Sequence, residues 1–213
     1  MITVRIVFSK TGKAKYISHL DLMRAMTRAV RRAGIPLWYT EGFNRHPYIT
    51  FASPISLGFE GLQETMDLRL EQEMSMDELT SRMDAVMPEG IRVLSAHEAV
   101  MKAGDLLSAR YRITVPCNKE QVEELLAQNE ILVEKRTKKK TMKTLDIRPS
   151  LQDVSVFEQG ENTVIEVTLP CGSNETVNPA LLITALGKSM EDEQLEGSVV
   201  RLATYGKNGE LFA

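Results

Sequence analysis

Residues 2–40 read ITVRIVFSKTGKAKYISHLDLMRAMTRAVRRAGIPLWYT, and this stretch sets the expected fold. Residues 2–8 alternate and are rich in β-branched side chains, the signature of a strand. Residues 18–33 carry a helical period: Leu22, Met26, Ala29, Val30 and Ala33 fall on one face at about 100° per residue. Ser18 is placed to cap that helix, with Asp21 three positions on. Gly34 and Pro36 stop it. Leu37–Thr40 then reads as a short strand.

Working outward, Met66–Leu70 alternates as a strand. Ser75–Met87 is a helix capped by Ser75 and ended by Pro88–Glu89–Gly90, and Ile91–Ala96 is a strand. The order β-α-β-β-α-β is that of a split βαβ, or ferredoxin-like, unit. The second half repeats it. Tyr111–Val115, Ile131–Glu134, Thr144–Ile147, Val154–Phe157, Thr163–Leu169 and Ser198–Tyr205 read as strands, and Lys119–Gln128 and Pro179–Gly187 as helices. The expected fold is α+β, with two tandem ferredoxin-like domains and antiparallel sheets. One domain spans residues 1–102 and the other 106–213, divided at Lys102–Asp105.

Composition narrows the class. The chain has 213 residues, 43% hydrophobic, with a net charge of −3. That is enough apolar content for a packed core, and the molecule as a whole is not basic. ITVRIVF is too short for a secretory leader, no run approaches the roughly 18 apolar residues of a membrane span, and cysteine is sparse. These features lead us to expect a reduced, cytoplasmic protein.

Positive charge is clustered. Arg24, Arg28, Arg31 and Arg32 share the helix face opposite the apolar stripe, with only Asp21 among them. An ordinary solvated helix intersperses acids with its bases, and the guanidinium fork suits phosphate. The following loop, YTEGFNRHPYITFASP (residues 39–54), offers Phe43 and Tyr48 for stacking, Asn44 and His46 for base edges, and Arg45 for charge. Such groups beside a basic helix suit single-stranded RNA. The alternative turns Phe43, Tyr48 and Phe51 inward as core. A second basic stretch, EKRTKKKTMKTLDIRPSL (residues 134–151), carries Lys135, Arg136, Lys138, Lys139, Lys140, Lys143 and Arg148 on an expected hairpin tip, where phosphate contacts would be salt-sensitive. Asp146 and Arg148 are placed to form a local ion pair.

Catalytic templates are missing. SKTGKAK lacks the spacing of a phosphate-binding Walker loop. There is no GxSxG, no HExxH and no CxxxCxxC run for an iron–sulfur cluster. His19 and His46 flank the basic helix and could act as general acid and base. RITVPC and EVTLPC each end a strand in Pro-Cys, and two central neighbouring strands would bring Cys117 and Cys171 to one sheet end. No metal ligand set is expected.

YISHLDLMRAMTRAVRRAGIPL (residues 16–37), EGFNRHPYITFASPISLGFEG (41–61) and KTLDIRPSL (143–151) together resemble the radical SAM-linked protein family, a family of unknown function. Arg45 departs from the proline usual in its GFNPHP motif. The resemblance implies a separate radical SAM partner. That partner would carry the iron–sulfur cluster and S-adenosylmethionine, with cobalamin as a further cofactor the resemblance implies there, and no cofactor is expected in this chain. The combined expectation is an RNA-binding accessory module that presents a structured RNA, tRNA or rRNA, to that enzyme. Two alternatives stand beside it: a metal-independent ribonuclease using His19 and His46, and a protein-interaction adaptor that binds no RNA.

Overall fold

The computed structural model describes residues 2–136, 141–172 and 175–212. In chain order they form β1 (Ile2–Lys10), α1 (His19–Arg32), β2 (Ile49–Thr50), β3 (Glu60–Leu70), α2 (Met76–Asp84), β4 (Ile91–Glu98), β5 (Ser108–Val115), α3 (Lys119–Leu126), β6 (Leu132–Arg136), β7 (Met142–Asp146), β8 (Gln152–Gln159), β9 (Asn162–Pro170), α4 (Ala180–Ser189) and β10 (Ser198–Tyr205). The fold is mixed α+β. The chain divides into two compact units, Met1–Leu107 with Arg201–Ala213, and Ser108–Val200. The expected divide at 102–105 falls just before this break. The segment from Arg201 onward, expected with the second half, groups with the first unit.

In the first unit the strand order is β4-β1-β3, with β2 also paired to β3 and β10 adjoining β3. β1 pairs antiparallel with β3, Val4 opposite Leu68 and Ile6 opposite Met66, and with β4 along its other edge. Side chains alternate across a strand. Val4, Ile6, Phe8, Met66, Leu68 and Leu70 therefore form one face, on which α1 lays Leu22, Met26, Ala29 and Val30 and α2 lays Leu79 and Met83. The purely antiparallel expectation is corrected, because the strands also include parallel pairs. A hairpin forces antiparallel pairing, whereas a strand returning after a long crossover, as β10 does, is free of that constraint.

Local signals explain the helix ends. Ser18 Oγ accepts the Asp21 amide at 3.2 Å, and Gly34, at φ 63°, takes the left-handed turn that ends α1. Ser75 occupies the position before α2 but makes no side-chain cap. Gly90 is held by space as well as by its φ of 83°: a Cβ there would lie 2.6 Å from the Thr11 carbonyl oxygen.

The second unit places β9 between β5 and β8. β5 and β9 run antiparallel, Ser108 opposite Pro170 and Val115 opposite Thr163. This corrects the expectation for the cysteines: strands that run in opposite directions finish at opposite ends of the sheet, so Cys117 and Cys171 are apart. Both are buried, and burial pushes the Cys117 thiol up. β6 and β7 form a separate two-stranded ribbon. The expected Asp146–Arg148 ion pair is not formed. Asp146 Oδ1 instead accepts the backbone amides of Ile131 at 2.8 Å and Arg148 at 3.0 Å, closing the base of the ribbon.

Candidate nucleic-acid interface

α1 folds as its pattern requires, apolar side inward and arginines outward. All four arginines are exposed, but they are not equivalent. Arg24 pairs with Asp21 at 2.9 Å. Arg32 Nη2 donates to the Val86 carbonyl at 2.8 Å, which ties the end of α1 to the segment after α2. Arg28 and Arg31 have no side-chain partner among the described residues. Arg82, on α2, extends the patch: its Nη1 lies 4.0 Å from where a Cβ on Gly34 would stand, and its charge is shared with Glu78.

The loop after α1 is an extended finger. Trp38 and Tyr48 are bonded across it (Tyr48 amide to Trp38 carbonyl, 3.1 Å), and the Thr40 amide bonds to the His46 carbonyl at 2.9 Å. Gly42, at φ 116°, turns the tip. Phe43 is 106% exposed, as open as an aromatic ring can be. Asn44 and Arg45 are exposed beside it. His46 Nδ1 lies 3.2 Å from Thr40 Oγ1 and 3.1 Å from the Asn44 carbonyl, so the imidazole helps to shape the tip. Phe51 turns inward, edge-on to Phe8 and to His19 at ring separations of 6.2 and 5.2 Å. His19 is thus packed against Phe51 while His46 braces the loop. The two share no hydrogen bond or ring contact, and His19 Nδ1 is buried without a partner.

Trp38 of the finger and Arg69 of β3, neither singled out from the sequence, stack together with Tyr48. The Arg69 guanidinium lies 5.0 Å from the Trp38 ring centre and 4.4 Å from that of Tyr48. Aromatic residues at 38 and 48 were visible in the sequence, but Arg69 comes from β3 and gave no local signal. Because Arg69 alternates with Leu68 and Leu70, this stack lies on the sheet face opposite α1. The basic helix face and the stack therefore point to opposite sides of the first unit, with the fingertip projecting from the hairpin.

The lysine-rich stretch is only partly covered. Lys135 and Arg136 sit in β6, opposite Lys143 and Met142 of β7. Lys143 is exposed and Arg148 is half-buried. Lys138, Lys139 and Lys140 lie outside the described residues. Among the described residues there is no cluster of three or more His, Cys, Asp or Glu side chains that could hold a metal. No described helix is long and apolar enough to cross a membrane.

Residues 3–179 match a family described as an uncharacterized protein conserved in bacteria, DUF2344, and the chain belongs to that family. No curated protein matches it. A crystal structure of an unknown protein from Galdieria sulphuraria aligns over 94% of this chain and 98% of that one, at 11% identity and a TM-score of 0.29. A likeness that distant carries no argument.

Proposed function

We propose that the chain is an RNA-binding accessory module built on two ferredoxin-like units. The outward face of α1 contacts phosphates through Arg28 and Arg31, flanked by Arg24, Arg32 and Arg82. The fingertip residues Phe43, Asn44 and Arg45 engage unpaired bases. The observation that carries this reading is the pair of exposed, uncompensated guanidiniums on a helix whose other arginines are already engaged within the protein. A guanidinium with no partner of its own can neutralise a phosphate and release a counterion condensed on the nucleic acid. A radical SAM modifying enzyme as the recipient of the RNA rests on the sequence resemblance alone.

The test is retention of total cellular RNA by the purified protein, followed by sequencing of what is bound. Wild-type protein retains RNA at low salt, and Arg28→Glu/Arg31→Glu retains at least tenfold less. Equal retention by both would reassign the α1 face to solvent. No retention by either, with tight capture of an acidic protein partner, would favour the adaptor reading.

A further inference from the structure

The outer edge of β6 in the β6–β7 ribbon is unpaired among the described residues. Among the described residues β6 bonds to β7 along one side and has no other strand neighbour. The Ile147 amide donates to the Ile131 carbonyl at 3.0 Å, so odd-numbered residues from Ile131 direct their backbone groups at β7. By alternation, the N–H and C=O groups of Leu132 and Glu134 point the other way.

That free edge faces a cleft. Leu132, Val133 and Glu134 line it consecutively, together with Ile183, Lys188 and Leu195, around a volume of about 750 Å³. Three consecutive strand residues can line one cleft only if the strand presents its edge. A smaller recess of about 350 Å³ continues past Leu132 towards Leu125 and Glu130. The floor is apolar, and Leu132 is 46% exposed on it.

The rim is acidic and fixed in place. Glu134 approaches from the ribbon side, Glu191, Asp192 and Glu193 from the turn after α4, and Glu130 lines the adjoining recess. That turn is pinned by the Asp192 amide to the Gly187 carbonyl at 2.8 Å and by Asp192 Oδ1 accepting the Gln194 amide at 3.0 Å. The fit leaves no slack, because a Cβ on Gly187 would lie 2.6 Å from the Asp192 carbonyl oxygen. None of the five carboxylates forms an ion pair with a described side chain, and Lys188 is the one cation among the described residues lining the cleft.

We propose that this groove accepts an extended peptide segment of alternating basic and apolar residues as an added strand on β6. The exposed amide and carbonyl of Leu132 and Glu134 supply main-chain bonds, the Leu132–Ile183–Leu195 floor takes the apolar side chains, and the carboxylate rim takes lysine or arginine. Strand addition gives affinity through the backbone and selectivity through the alternating side chains, and an open edge is a ready template for it. The charge of the rim excludes acidic segments by repulsion.

The experiment uses the full chain and two synthetic peptides, acetyl-KVKVKVK-amide and acetyl-EVEVEVE-amide, followed by fluorescence anisotropy and amide hydrogen exchange. The lysine peptide binds saturably and slows exchange at Leu132 and Glu134, and the glutamate peptide does not bind. Glu134→Pro removes an edge N–H at a position where an edge strand tolerates proline, and lowers affinity at least tenfold. Glu191→Lys/Glu193→Lys, on an exposed turn, does the same without touching the strand. Failure of the lysine peptide to bind would overturn the proposal. So would undiminished binding to both variants, or binding without protection at Leu132 and Glu134.

Discussion

Two sets of cationic side chains in the first unit have opposite fates. On α1, Arg28 and Arg31 are exposed with no side-chain partner among the described residues. In the sheet, Arg5 is 0% exposed, Lys10 1% and Arg201 3%. Arg5 is held bidentate by Asp67 at 2.7 and 2.9 Å, donates to the Met101 carbonyl at 2.8 Å and lies 3.8 Å over the Phe212 ring. Arg201 forks onto Glu64 and reaches the Ser53 carbonyl at 2.7 Å. Lys10 donates to the Lys15 carbonyl at 3.0 Å. Burying a charge is tolerated only with partners in good geometry, so the sheet cations are committed to partners inside the fold. The α1 cations carry no such obligation and remain available to a ligand.

The largest effect that could break this contrast is at Glu64. Glu64→Gln leaves Arg201 and Lys10 buried with no carboxylate between them. It costs about 3–5 kcal/mol, read as a fall in the denaturant midpoint at constant slope. A loss near zero would mean that the pair contributes nothing.

Lys10→Met acts in the other direction. Burial holds the Lys10 ammonium below its usual value, against the attraction of Glu64, and the Lys15 carbonyl keeps a second donor, the Gly58 amide at 2.9 Å. A lysine with a lowered folded pKa penalises the folded state while it is charged. Between the folded value and the ordinary 10.5 the unfolded chain binds the extra proton, so wild-type stability rises with pH there. Lys10→Met is therefore more stable than wild type at pH 7, and its advantage shrinks as pH approaches 10.5. An advantage that stays constant over that range would contradict the assignment.

Asp84 lies between the two extremes. Arg92 beside it, at 2.7 Å, holds its carboxyl below the usual aspartate range, with help from the Val93 amide. Arg92 is 70% exposed, so screening limits the effect, and Asp84→Asn costs about 1 kcal/mol at pH 7. A lowered carboxylate pKa stabilises above its unfolded value and loses that contribution as pH falls through the folded one. The wild-type advantage over Asp84→Asn therefore fades below the ordinary 3.8. An advantage that does not fall at all as the pH is lowered below 3.8 would contradict it.

The smallest effect on stability is expected on α1. Arg28→Glu/Arg31→Glu leaves Tm within about 2 °C of wild type, so a large fall would mean that these side chains support the fold.

What the sequence made legible follows from the range over which each signal acts. α1 could be read because its two faces, its Ser18 cap and its Gly34 stop lie within seventeen residues of one another. β10 was read with its bounds, since alternation is local, but not the grouping of its residues from Arg201 onward with the first unit, because the Glu64–Arg201 contact spans 137 positions. Arg5 and Asp67 are 62 positions apart, and neither is conspicuous in its own strand. Arg69 was missed for the same reason: its two ring partners come from the finger. The matching Pro-Cys strings misled because a string carries no strand direction. Charge clustering along the chain picked out α1, whereas the cations that hold the fold together are scattered in sequence and meet only in space.

If the free α1 arginines bind phosphate, the salt dependence of affinity for a fluorescent single-stranded RNA must differ between wild type and Arg28→Glu/Arg31→Glu. Losing two phosphate contacts should lower the slope of log K against log salt by about 1.4, at roughly 0.7 per contact, with Tm unchanged. Equal slopes and equal affinities for the two proteins would contradict the account.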